Sequence, residues 1–218
     1  MSESVAVVDA GPFGDWLMRF RRSLRSDCGM EVPCGDCVGC CVSGYAVWVR
    51  PEDRRARARI PPQLLSEPPG MPAGTSLMQA RSDGTCPMLS AHQCSIYADR
   101  PQTCIDYDCR VFAAAGIEAG GDDRSTINRR VRAWRFSYPT SADVQAHEAV
   151  RAAARFIRDQ ADSFPGRVPS APSGIAVLAV KAYTVFFEPG ALQRDSATLA
   201  RDIIRASRQF EQETIDGN

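Results

Sequence analysis

CGDCVGCC, residues 34–41, places four thiols within eight positions of a chain that has only two histidines. Four uses of such a run are open: oxidised staples, ligands for one metal, ligands for two, or the nucleophile and resolving pair of a redox enzyme. A second thiol-rich stretch, CPMLSAHQCSIYADRPQTCIDYDC, runs from Cys86 to Cys109. Nine cysteines in 218 residues is about half the density of disulfide-built secreted scaffolds. The opening MSESVAVVDAGPFGDW lacks a basic segment followed by an apolar core, so it does not read as a secretory leader. No apolar run reaches the roughly 18 residues that span a bilayer; the best, IAVLAVKAYTVFF, is broken by Lys181. The expectation is a soluble cytoplasmic protein with no membrane partner, in which clustered thiols serve as metal ligands or redox groups rather than disulfides.

The thiols divide into Cys34, Cys37, Cys40 and Cys41, then Cys86, Cys94, Cys104 and Cys109. Eight soft donors in two blocks suit zinc or an iron–sulfur cluster. In a Cys-x2-Cys pair two thiolates curl around one metal while backbone amides donate to sulfur, and Gly35 and Gly39 permit the tight turns this needs. Adjacent Cys40 and Cys41 do not share a face of a strand or helix, so they point to different metals or leave one thiol over. Two arrangements follow. Either eight thiolates make two four-sulfur zinc sites, or Cys34, Cys37, Cys40 and one distant cysteine hold a 4Fe-4S cluster. Cys86-Pro87 after the Cys-x2-Cys-x2-Cys run is reminiscent of ferredoxin ligation. The Cys-x3-Cys-x2-Cys run common in radical S-adenosylmethionine enzymes is missing from this stretch.

CGDCVGCC, then CPML, then CSIYADRPQTC and Cys109 together resemble the YkgJ-type cysteine cluster family, described as a zinc- or iron-chelating domain. Cys94, Ile96, Tyr97, Arg100, Pro101 and Cys104 match its later motif position by position, and the resemblance covers roughly residues 30–112. It implies the eight cysteines of the two blocks as the ligand set. Ile105 stands where the family usually has arginine, and Arg110 follows the last cysteine instead. Flagellin lysine N-methylases share such a cluster, which implies that the module can sit inside an enzyme. No motif for that activity is found in the C-terminal half.

Around the cysteines, residues 12–26 repeat apolar residues at helical spacing (Phe13, Trp16, Leu17, Phe20, Leu24). YAVWV alternates like a strand, and PEDRRARARI has Pro51 at a first helical position with acids in the opening turn. Residues 61–74 read as a loop. CPML and CSIY read as two strands joined by SAHQ, and Asp99-Arg100-Pro101 opens a short helix carrying Cys104, with Cys109 near its end. Residues 113–123 read as a loop or fraying helix end. A helix is expected from Ser141, its N-cap, to Phe164, with Ala142, Val144, Ala149, Val150, Ala153 and Phe156 apolar. Residues 165–174 are punctuation, 175–190 helix or strand, and 191–215 an amphipathic helix. The fold expected is α+β: a small irregular cysteine-rich module with short strands, residues 28–112, packed on mostly α-helical flanks, residues 1–27 and 113–218.

Single residues are weighed in the same way. Cys28 has no partner at chelate spacing and reads as a free thiol. His92 sits in the turn between two candidate ligands, where a solvated histidine is expected over a ligand, and His147 lies on a helix among polar neighbours. Arg100 and Arg110 flank thiols, either compensating their charge or binding carbonyls at a turn. Asp106 and Asp108 read as solvated carboxylates. Arg129, Arg130, Arg132 and Arg135 beside Trp134 read as a solvated face, and with zero formal net charge nucleic acid is not an expected partner. The leading function is metal binding through eight thiolates, as an iron–sulfur cluster or zinc, with a redox role. The alternatives are an iron-dependent modifying enzyme with one open metal position and a zinc module for protein or nucleic-acid binding.

Overall fold

The computed structural model describes residues 6–26, 28–187 and 190–215. The first residues of the stretch read for a leader, the Glu188–Pro189 end of the apolar segment and residues 216–218 lie outside them. In chain order the elements are β1 (Val8–Pro12), α1 (Phe13–Ser23), α2 (Gly39–Val42), β2 (Val47–Val49), α3 (Arg54–Arg59), β3 (Leu65–Ser66), β4 (Ser76–Met78), β5 (Leu89–Ser90) and β6 (Gln93–Cys94). There follow α4 (Gln102–Asp106), α5 (Arg110–Ala115), α6 (Ser125–Ala133), β7 (Trp134–Ser137), α7 (Ser141–Asp159), α8 (Pro172–Ala182) and α9 (Ser196–Ile215), with short 3-10 turns between several of them. The fold is mixed helix and small sheets, of the α+β class. No described helix is long and apolar enough to cross a membrane.

The chain divides into two compact units. One comprises residues 1–25, 109–120 and 131–218; the other comprises residues 26–108 and 121–130.

The first, helical unit is organised by small residues. Ala153, Ala154, Ala176, Ala179 and Val180 are fully buried or nearly so, which lets α7 and α8 approach closely and continue onto α5 and α9. Helix α1 buries Phe13, Trp16, Leu17 and Phe20, as its periodicity requires. Strands β1 and β7 pair in parallel, Val8 opposite Trp134 and Pro12 opposite Ser137, with an irregularity between Asp9 and Gly11. This pairing was not expected from two such short segments. The cap of α7 is Thr140, one residue earlier than the expected Ser141. Thr140 Oγ1 accepts from the Asp143 amide at 3.3 Å while the Asp143 carboxylate accepts from the Thr140 amide at 2.9 Å, a reciprocal capping box. Ala142 and Val144, expected to be apolar positions of the core, are exposed; the buried face begins at Ala146. The segment from Ile175 resolves as helix α8 followed by a 3-10 turn, Tyr183–Phe186.

His147 is the largest departure in this unit. It is buried, stacked on Phe13 at 4.3 Å and edge-on to Phe136 at 5.6 Å, and its Nδ1 lies 2.7 Å from the Tyr138 hydroxyl. The residues beside it in sequence are polar, but the face it occupies is aromatic.

The second unit has a small core of Val47, Val49, Ala56, Ile60, Met78 and Ile96. Strand β4 is central, pairing antiparallel with β2 and with β3, so the loop expected over residues 61–74 runs into strand at Leu65. Strands β5 and β6 form the expected hairpin, shifted to Leu89–Ser90 and Gln93–Cys94. Its two turn residues, Ala91 and His92, have φ of 46° and 60°, the left-handed pair that a tight hairpin turn demands. Helix α3 starts at Arg54, so Pro51 and the acids precede it rather than open it. Cys109 lies beyond α4 and caps α5.

His147 supplies a pH test. Burial, and then the charge of Arg151, push its pKa down to about 4 from an ordinary value near 6.5. Below pH 6.5 the unfolded chain takes up a proton that the folded chain refuses until about pH 4. The contribution is therefore full above 6.5 and lost as pH falls from 6.5 to 4, worth at most about 3 kcal/mol. Urea unfolding at pH 7 and pH 4.5 should show this loss in the native protein and a clearly smaller one in His147→Phe; equal losses would contradict it.

Candidate metal centre

The second unit gathers Cys34, Cys37, Cys40, Cys41, Cys86, Cys94 and Cys104, and each is held by identifiable polar ties. The Cys86 amide donates to the Cys41 carbonyl at 2.7 Å, joining the two thiol-rich segments directly. In the first segment the Cys37 amide donates to the Cys34 carbonyl at 3.0 Å and the Cys41 amide to Val38 at 2.8 Å. Gly35 has a φ of 58°, which favours glycine. Gly39 is buried beside Ile127 and its φ is not positive, so it is not a turn glycine. Arg130 on α6 donates to the Cys34 carbonyl at 2.9 Å and faces Asp36 at 3.5 Å.

In the second segment, Arg81 donates to the carbonyls of Pro87 and Leu89 at 3.0 and 2.9 Å. It fixes the chain between Cys86 and the hairpin. Cys104 rides on α4, which is pinned at two points, one in the turn before α3 and one on β2. The Gln102 amide donates to Asp53 Oδ1 at 2.8 Å, and the Thr103 hydroxyl donates to the Trp48 carbonyl at 2.7 Å. Asp53 also accepts from the Arg50 amide at 2.7 Å. Cys86, Cys94 and Cys104 pack against the apolar core, so their sulfurs sit on a rigid floor.

Electrostatics tie the sulfurs to one another. The Cys41 thiol donates toward both Cys40 and Cys86, which lowers the pKa of those two and raises that of Cys41. The amides of Met88 and Leu89 also favour thiolate at Cys86, and the Ile96 amide does so at Cys94. These are the amide-to-sulfur bonds expected of a thiolate site; in the first segment the amides of Cys40 and Cys41 likewise favour thiolate at Cys40. Burial, then the negative charge of Cys40, Cys86 and Cys94, push Cys104 up to about 12. Burial, then Cys40 and Cys37, push Cys34 up to about 11. Burial also raises Cys94. Ionising one thiol therefore opposes ionising the next, and only a cation relieves all of them together. Among the described residues no three Cys, His, Asp or Glu side chains converge as a ready-made ion site; the sulfurs neighbour one another through hydrogen bonds and field effects. An all-sulfur donor set with amides aimed at it fits a soft metal, zinc or iron–sulfur, and not magnesium or calcium.

The remaining candidates fall elsewhere. Cys109 belongs to the helical unit, is buried, and its Sγ accepts from the Trp134 indole N–H at 3.2 Å. Cys28 is exposed and accepts from the Ser26 hydroxyl at 3.2 Å. His92 is exposed in its turn. Arg100 serves both roles foreseen for it: it donates to the Tyr97 carbonyl at 2.7 Å, and its charge favours thiolate at Cys94 and Cys104. Arg110 is buried, with Nη1 3.3 Å from the Ala10 carbonyl. Asp106 accepts from Gln102 Nε2 at 2.7 Å. Asp108, expected to be solvated, is buried, and its charge raises Cys34. Asp53, Arg81 and Arg130 were not singled out as contributors. Their positions carry no motif, and only the Asp53–Gln102, Arg81–Pro87 and Arg130–Cys34 contacts, all non-adjacent in sequence, reveal them.

Residues 33–122 match a family model, CxxCxxCC, described as a "putative zinc- or iron-chelating domain". Over this stretch the chain is similar to the CxxCxxCC family. The matched stretch spans both thiol-rich segments and reaches the residues preceding α6. No curated protein and no solved structure matches the chain.

Because Cys86 and Cys104 are anchored by different elements, each should matter separately. Cys86→Ser and Cys104→Ser are each expected to weaken zinc binding by about 100-fold or more, read by competition with a chromophoric chelator. Cys28→Ser should leave it unchanged; a loss there equal to the other two would contradict the assignment.

Proposed function

We propose that residues 28–112 form a metal-binding module in which the thiols of the second unit hold an iron–sulfur cluster. What carries this reading is the gathering of seven half-buried thiols in one unit, its two thiol-rich segments joined by the Cys86–Cys41 backbone bond, where their negative charges oppose one another until a cation is bound. Two further features support it. Amides donate to the sulfurs of Cys86 and Cys94, and hydrogen bonds of this kind tune iron–sulfur potentials. Seven thiols also suffice for the four that a 4Fe-4S cluster takes. Cys109 is the eighth thiol of the expected set, and the proposal rests on the other seven. When bound, the cluster would supply one-electron redox chemistry. The chain's own part is to position thiolates, to aim amides at them, and to place Arg100 and Arg130 where they offset negative charge.

Metal uptake must displace thiol protons, above all the one Cys41 holds between Cys40 and Cys86, so affinity should rise with pH. Anaerobically purified protein is expected to be brown, to contain iron and acid-labile sulfide, and to bleach with dithionite. A colourless protein carrying zinc would overturn the iron–sulfur assignment while keeping the thiolate centre. Neither metal, with the thiols oxidised to disulfides, would overturn both.

A further inference from the structure

The helical unit holds an open cleft of about 610 Å³ beside α5, α7 and the start of α8, a size that takes a small organic molecule. Its walls are apolar: Phe112, Ile117, Val131, Trp134, Pro172 and Ile175. Its polar groups are one-sided in charge, since Arg132, Arg135, Arg151 and Arg158 line it against a single carboxylate, Glu118.

Two of these arginines are already neutralised. Arg132 Nε donates to Glu118 at 2.9 Å, and Arg158 donates to both oxygens of Asp159 at 2.7 and 3.2 Å. The other two are not. Arg135 uses Nη1 to hold the carbonyls of Arg132 and Trp134. Among the described residues neither Arg135 nor Arg151 meets a carboxylate. Two guanidinium groups thus stand over a hydrocarbon surface without a counter-charge, although the chain as a whole is neutral. Helix α8 begins at the same rim with no side-chain cap, which adds the positive end of its dipole.

We propose that this cleft binds a small organic anion: one oxyanion group, which the Arg135 and Arg151 guanidinium groups receive, on a hydrocarbon or aromatic body that lies along the half-buried Ile117 and Pro172. Guanidinium forks suit an oxyanion, and the apolar walls exclude bare inorganic ions as the preferred occupant. The cleft lies within the helical unit and is lined by none of the seven thiols of the proposed centre, so its test does not depend on the metal.

The full-length protein should bind anilinonaphthalene sulfonate at one saturable site, seen as a fluorescence rise. Octanoate should displace the dye and octanol should not. Arg135→Gln and Arg151→Gln, both at exposed positions, should each weaken binding about tenfold or more, with helical content and thermal midpoint unchanged by circular dichroism. Absence of a saturable site would overturn the proposal, and so would equal displacement by octanol, or unchanged affinity in both variants.

Discussion

The backbone hydrogen bond from the Cys86 amide to the Cys41 carbonyl, 2.7 Å long, is the contact on which the thiol-rich unit depends. It closes a long loop, and closure of a loop that size has an entropic cost that short-range contacts do not meet. The unit has a six-residue apolar core with which to offset this. The remainder comes from polar ties. Asp53 joins the turn before α3 to the start of α4, Arg57 donates to the Arg50 carbonyl and the Ser76 hydroxyl, and Arg130 holds the Cys34 loop. Bringing the thiols together adds a second cost, because each thiolate raises its neighbours. A metal removes that cost and adds its own binding energy to folding. Shape and charge therefore point to the same requirement.

Much of this architecture was readable from the chain, and the misses share a physical cause. The amphipathic repeat of Phe13, Trp16, Leu17 and Phe20 gave α1, and the 191–215 pattern gave α9, because a helix records its buried face locally. The hairpin between Cys86 and Cys94 was also visible, from two short extended runs around a polar turn. By contrast, β1 and β7 are separated by more than a hundred residues and are too short to show a period, so their pairing left no local trace. Thr140 displaced Ser141 as the cap of α7 because Asp143, three residues on, completes the reciprocal pair. His147 was misjudged because its sequence neighbours are polar, while the rings around it come from Phe13, Phe136 and Tyr138.

The site divides in the same way. The candidate thiols could be named from the chain, since cysteine clustering is a sequence property. The residues that aim them could not, since Asp53, Arg81 and Arg130 act on backbone groups contributed from elsewhere in the chain. The division of labour within CGDCVGCC was also hidden: Gly35 turns the chain, Gly39 lies buried beside Ile127, and Cys41 hydrogen-bonds with both segments. Cys109, alike in spacing, belongs to the helical unit, where Trp134 meets it. The arginine-lined cleft had no signature at all, because its walls come from several separated stretches. Of the basic stretch that had read as a solvated face, Arg129, Arg132 and Arg135 are exposed, Arg132 pairing with Glu118 and Arg135 rimming the cleft, while Arg130 is tied to the Cys34 carbonyl.

X-ray absorption at the edge of whichever metal accompanies the anaerobically purified protein tests the thiolate centre most directly. A first shell made of sulfur alone, near 2.3 Å for zinc or with iron–iron scattering for a cluster, is the predicted result. A first shell dominated by nitrogen or oxygen would contradict it.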